Sequence, residues 1–168
     1  MKNLIFTFVL LFTVSFAFGQ SSADNYKSDK DGWLVNLDEA YSLSKKTGKP
    51  IMANFTGSDW CGWCKRLDAA VFSQDEFKSW ANDNVVLLEL DFPRRTKLPT
   101  EIQQQNAGLQ RAFRVQGFPT IWVFDLDKDA ASGKYKISAI GKTGYTPTVQ
   151  QFTTGVDQML TRAKQAGS

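Results

Sequence analysis

The sequence predicts an α/β domain built on a central mixed β-sheet with helices on both faces. Three observations carry this reading. Short apolar runs at Ile51–Phe55, Val85–Asp91 and Ile121–Phe124 have the length and composition of buried strands, and stretches of helical period separate them. After the third run the pattern changes to an alternating strand, Tyr135–Ile140. A closing apolar stripe follows at Val149, Phe152, Val156 and Leu160. Strands alternating with helices, then a hairpin under a covering helix, give a layered mixed sheet.

The elements follow in order. Met1–Gly19 has one early cation, Lys2, an apolar run over Leu4–Phe18 and small residues before Gln20, the three regions of a secretory leader. Cleavage is expected after Gly19, because the run falls short of the ~20 apolar residues a spanning helix needs. No cysteine near that point suggests a lipid anchor. The 149 residues then left (168 less 19) suit one domain with a full core. Residues 20–35 read as a flexible lead-in and 36–168 as the domain, with no internal repeat. Asn36 with Glu39 is expected to cap a helix over Leu37–Thr47, closed by Gly48 and Pro50. A helix from about Cys61 to Val71 follows the first strand, and Ser73–Glu76 reads as a capping box for a short helix through Ala81. Pro93–Pro99 is a basic loop, Arg94-Arg95-Thr96-Lys97, read as solvated surface rather than as a dock for an acidic partner. Thr100 is expected to cap a helix reaching Arg114, with Leu109 and Phe113 on one face. Leu126–Lys134 is expected to turn, Gly141–Tyr145 to connect, and Thr146-Pro147 to open the last helix.

The formal charge of +3 falls to +2 without Lys2, with both signs mixed along the chain. Nothing here forms a basic stripe for nucleic acid or a second hydrophobic span. The chemistry concentrates in Trp60-Cys61-Gly62-Trp63-Cys64, which holds the only two cysteines. At the start of a helix, Cys61 and Cys64 lie one turn apart on one side and can close a small disulfide ring. Free N–H groups and the macrodipole there favour a thiolate at Cys61, the expected attacking sulfur; Cys64, facing the packing, would resolve a mixed disulfide. Gly62 lets a substrate chain approach, and Trp60 and Trp63 offer apolar faces. Without histidine or a further cysteine, a one-chain zinc site is nearly excluded, although one shared between two chains stays open. A purely structural bridge over so short a loop would remove little chain entropy.

These residues, together with Gly117-Phe118-Pro119-Thr120 ahead of an apolar strand, resemble the thioredoxin superfamily, and Phe55-Thr56-Gly57-Ser58 resembles its secreted bacterial members. The resemblance runs from about Leu37 to Leu160. It implies a thioredoxin fold in which Pro119 follows a cis bond and lies against the cysteines, leaving the backbone of Phe118 to pair with a substrate strand. Many thioredoxins hold a buried Asp on the strand leading to the active site, which the resemblance implies as a proton relay to and from the second cysteine. The matching residue here is Asn54, which cannot ionise, so Asp59 and Asp68 are the substitutes considered. Gly62-Trp63 also replaces the common Gly-Pro, a dipeptide that helps set redox poise.

The expected activity is exported thiol–disulfide exchange with protein or peptide cysteines, in the periplasm or secreted, by a monomer. Its only cofactor would be the Cys61–Cys64 disulfide. Lys65 and the overall pattern point to a reductase fed by a membrane-bound redox partner. Two other functions fit the same residues: a redox-inactive module binding through Trp33, Trp60, Trp63, Trp80 and Trp122, and delivery of a soft ion such as Cu(I) by the two thiols.

Overall fold

The structure is a computed structural model and describes residues 25–166. The leader expected over 1–19 lies outside the described residues. Among the described residues, five helices, one π-helical turn and four strands follow one another: α1 (Leu37–Thr47), β1 (Ile51–Thr56), α2 (Gly62–Leu67), the π-turn (Asp68–Phe72), α3 (Asp75–Asn84), β2 (Val86–Asp91), α4 (Thr100–Ala112), β3 (Thr120–Lys128), β4 (Tyr135–Thr143) and α5 (Val149–Ala166).

The sheet has the order β2-β1-β3-β4. β1 pairs parallel with β2 and antiparallel with β3, and β3 pairs antiparallel with β4. The expected mixed sheet is therefore present. Its two faces divide the core according to the period-two alternation of each strand. Met52, Ile121 and Val123 pack with Leu67, Val71, Phe77, Phe152 and Val156 from α2, the π-turn, α3 and α5. Ile51, Ala53, Phe55, Leu88, Leu90 and Phe124 pack with Ala40 from α1 and Leu109 from α4.

Several boundaries differ from the sequence reading. Asn36 caps α1, accepting the N–H groups of Asp38 and Glu39 through its side chain. Neither of the other two expected caps forms. Ser73 hydrogen-bonds the Asp68 carboxylate, leaving Gln74 at the cap of α3, and Thr100 already lies inside α4 behind Pro99. The cysteine-bearing helix stops at Leu67 and continues as the π-turn. Pro147 does not open α5; Thr148 does, its hydroxyl accepting the N–H of Gln151. Gly141 belongs to β4, not to a connection. The β3–β4 register shifts at Val123/Phe124, and a side chain on Gly141 would meet Met159 Sδ at 2.6 Å, so the lone glycine marks a bulge under α5.

The described part of the expected lead-in is packed against the sheet. Leu34 bridges to Leu88 in parallel, and Trp33 and Val35 are buried. Lys30 binds both Asp68 and Glu89, so the chain before α1 covers the edge of β2.

Candidate active site

Parallel pairing aligns Thr56 with Asp91, and antiparallel pairing aligns Phe55 with Thr120. The segments leaving β1 and β2 and the one entering β3 therefore meet at one edge of the sheet. These are Gly57–Cys61, Phe92–Thr96 and Gly117–Pro119.

The first segment is tied down by Asp91. Its carboxylate accepts the N–H and hydroxyl of Ser58 at 2.8 and 2.6 Å and the N–H of Phe92 at 2.9 Å. Asn106, 1% exposed, donates from α4 to the Asp91 carbonyl. Trp60 donates from its indole to the Phe92 carbonyl at 2.8 Å, and its ring meets Phe118 edge-on. Gly57 makes room for that ring, since a Cβ there would meet the indole at 2.5 Å.

Cys61 is the N-cap of α2 and is disulfide-bonded to Cys64. Its sulfur accepts the N–H of Cys64 at 3.2 Å, an interaction that strengthens when the sulfur carries charge. Both cysteines are nearly buried, at 5% and 6% exposure, so accessibility does not separate them. Position does: Cys61 faces the unpaired N–H groups of the helix start, while Cys64 lies within its first turn. The Phe118–Pro119 bond is cis, as the resemblance implies. Phe118 also packs on Phe92, so this loop adjoins Trp60 and hence Cys61. Trp63 stands 54% exposed between the cysteines, its ring edge-on to Tyr145. Gly62 is open, with nothing near its absent Cβ.

The three positions considered for proton transfer have different fates. Asn54 is buried with no partner for Oδ1. Asp59 is committed elsewhere: its carboxylate accepts the N–H groups of Arg94, Arg95 and Thr96, led by Arg94, which hold it below the usual carboxylate range. A group held so firmly ionised is no proton store near neutral pH. Asp68 lies one turn beyond Cys64, ion-paired with Lys30 at 3.1 Å.

Beside Asn54, in register on β2, lies Glu89, which the sequence reading passed over. It is 8% exposed and receives the Ser28 hydroxyl at 2.9 Å and Lys30 at 3.3 Å. Burial raises its carboxyl above the ordinary value despite the pull of Lys30. Its signal was a lone carboxylate inside the apolar run Val86–Leu90. Asn106 had a similar one, a polar residue on the Ile102/Leu109 stripe.

Trp33, Trp80 and Trp122 are engaged within the domain, through Phe72, Phe77 and Phe113 respectively. Of the five tryptophans, this leaves Trp60 and Trp63 at the site. Among the described residues no group of three or more His, Cys, Asp or Glu could hold a metal ion.

A C-x-x-C disulfide at a helix start, beside a cis-proline loop at the edge of this sheet, defines a thiol–disulfide oxidoreductase whose redox group is its own cysteine pair. The chain belongs to the thioredoxin-like domain family, whose model matches residues 37–154. It is 38% identical to the disulfide bond reductase DsbH of Chlamydia pneumoniae over 64% of this chain and 68% of that protein. Against the thiol:disulfide interchange protein DsbD of Yersinia pestis the identity is 32%, over 70% of this chain but only 17% of the relative's length. A solved DsbH oxidoreductase superposes with a TM-score of 0.66 at 31% identity, covering 80% of this chain and 87% of that one.

Proposed function

We propose that the protein reduces disulfides of exported proteins or peptides outside the cytoplasm. Cys61 is the attacking residue and Cys64 the resolving one. The observation that carries the assignment is the Cys64 N–H directed at the Cys61 sulfur at the helix cap. Reduced Cys61, as thiolate, attacks one sulfur of the substrate disulfide, forming a mixed disulfide and expelling a substrate thiolate that takes up a proton. Cys64 loses its proton, attacks the Cys61 sulfur and expels the second substrate thiolate. Two electrons pass to the substrate and the enzyme is left as the Cys61–Cys64 disulfide.

Trp60, Gly62, Trp63, Phe118 and Pro119 form the docking surface, with the backbone of Phe118 available to an extended substrate strand. Asp68, one turn beyond Cys64 in sequence, is the carboxylate that exchanges the Cys64 proton in this reading. Similarity to a protein named as a disulfide bond reductase supports the direction. The leader-like Met1–Gly19 supports export, and similarity to the interchange protein DsbD supports electron supply from a membrane-bound donor. One chain supplies both cysteines and the cis-proline loop, which supports a monomeric working unit.

Cys61→Ser should abolish reduction of a model disulfide, while Cys64→Ser should accumulate the mixed disulfide. A Cys61→Ser protein working at the normal rate would overturn the assignment. The equilibrium potential of the pair tests direction: a value near about −270 mV marks a reductant, and one towards about −120 mV a donor of disulfides.

A further inference from the structure

Each of the two indoles flanking the disulfide carries a guanidinium. Arg94 Cζ lies 3.9 Å from the Trp60 ring centroid, and Arg66 Cζ lies 4.7 Å from that of Trp63. The first pair is built into the fold. Trp60 is held by Phe92 and Phe118, and the loop carrying Arg94 is held by Asp59, whose carboxylate accepts N–H groups at 3.0 Å from Arg94 and 2.6 Å from Arg95. That arrangement commits the single carboxylate of residues 57–67 to loop backbone. The side chains of Arg94, Arg95 and Lys97 are left exposed around the site.

The charge distribution is lopsided. Residues 57–67 and 91–98 contain Lys65, Arg66, Arg94, Arg95 and Lys97 against Asp59 and Asp91, a balance of +3; the whole chain carries +3, so the remainder is neutral (+3 less +3). Among the described residues no carboxylate ion-pairs with any of these five cations. A guanidinium resting on an indole keeps its donor edge free and has already lost rotamer freedom, so it can take a carboxylate in a forked geometry at reduced entropic cost.

We propose that this rim selects polypeptide substrates whose reactive cysteine is flanked by Asp or Glu. The inference rests on the thiol–disulfide exchange reading of the same site. Acidic flanks gain encounter rate from the local field and register from the two arginines, while basic flanks are repelled.

The test uses three peptides with the same disulfide, flanked by Asp, Lys or Ser, and stopped-flow rates of their reduction by the reduced protein. At low salt the Asp peptide should react ~10-fold or more faster than the Lys peptide, and the ratio should fall towards one in ~1 M salt, where the screening length is ~3 Å. An Arg66→Gln/Arg94→Gln double variant should bring the ratio towards one at low salt. Arg162→Gln, ~20 Å along α5 from its first residue, should keep it. Equal Asp and Lys rates in the unaltered protein, or a ratio unmoved by the double variant, overturn the proposal. The Ser peptide separates the two levels. If it is reduced while the ratio stays at one, only the selectivity fails; if no peptide is reduced, exchange itself fails and takes the selectivity with it.

Discussion

Replacing Lys30 with Met should destabilise the protein by an amount that depends on pH. Lys30 Nζ stands 3.3 Å from Glu89 and 3.1 Å from Asp68, and without it Glu89 keeps only the Ser28 hydroxyl. Breaking a fully buried pair costs ~3–5 kcal/mol by leaving an uncompensated charge. Lys30 is 27% exposed at its side chain and Glu89 10%, so water recovers part of that, and about 2 kcal/mol at neutral pH is the expected loss. The sign of the pH dependence follows from Glu89. Burial raises its folded carboxyl above the ordinary value, so the folded state holds the proton more tightly, and stability from this group falls as pH rises through the folded pKa. Removing the lysine raises that carboxyl further. Both proteins share the same unfolded reference, so the penalty should be near zero until pH rises through the raised folded pKa of Glu89, then grow with a slope of at most ~1.4 kcal/mol per pH unit before levelling off. Urea unfolding of both proteins between pH 4 and 8 reads the difference directly, and a Lys30→Met/Glu89→Gln double variant should flatten it. A penalty constant across that range would refute the view that Lys30 serves as counter-charge.

Three further perturbations address the scaffold. Gly57→Ala should push Trp60 out of place at a cost of ~1–3 kcal/mol and alter tryptophan fluorescence, because the new Cβ would sit 2.5 Å from the indole; an unchanged melt and spectrum would count against a locked ring. Asn106→Ala removes the buried donor to the Asp91 carbonyl and should cost ~1–3 kcal/mol in urea unfolding, whereas a loss under ~0.5 kcal/mol would mean the bond holds nothing in place. Asp59→Ala should free the Arg94–Thr96 backbone and speed trypsin cleavage after Arg94 and Arg95 several-fold. In the unaltered protein that anchor should survive mild acid, being lost only as pH falls through the depressed pKa of Asp59, and cleavage at the same rate in both proteins would refute the tether.

The strands and the cysteine pair were legible because their signals are local. Ile51–Phe55 and Val85–Asp91 are apolar runs with strand composition, and two cysteines three apart at a strand–helix junction need no distant partner to be recognised. Gly141 misled because a lone glycine reads as a break; what makes it necessary is Met159, on a helix that returns across the sheet only after folding. The Ser73 cap failed through competition. Its hydroxyl went to Asp68 in the preceding turn, an option that the spacing to Glu76 does not reveal. The role of Asp59 was hidden for the same reason as that of Gly141: its partners lie 35 to 37 residues on, and only the sheet brings them near.

Sheet polarity explains why the basic loop and the cysteines belong to one site. Because β1 and β2 run parallel, their carboxyl ends lie side by side, and the chain leaving β2 must pass the segment that carries Cys61. Because β3 runs antiparallel to β1, the chain entering it brings Pro119 to the same edge. Had β2 paired antiparallel, Arg94–Lys97 would emerge at the opposite edge and Asp59 would face water. The Asp59 tether is thus a consequence of strand direction, and it converts a surface loop, by composition unremarkable, into part of the wall around the disulfide. On the proposed selectivity, a substrate responds to that wall through charge, since Arg94 rests on the anchored Trp60 ring and Arg66 on the exposed Trp63 ring beside the cysteines. The salt dependence of exchange with acidic peptides therefore probes the fold's topology as directly as it probes the chemistry.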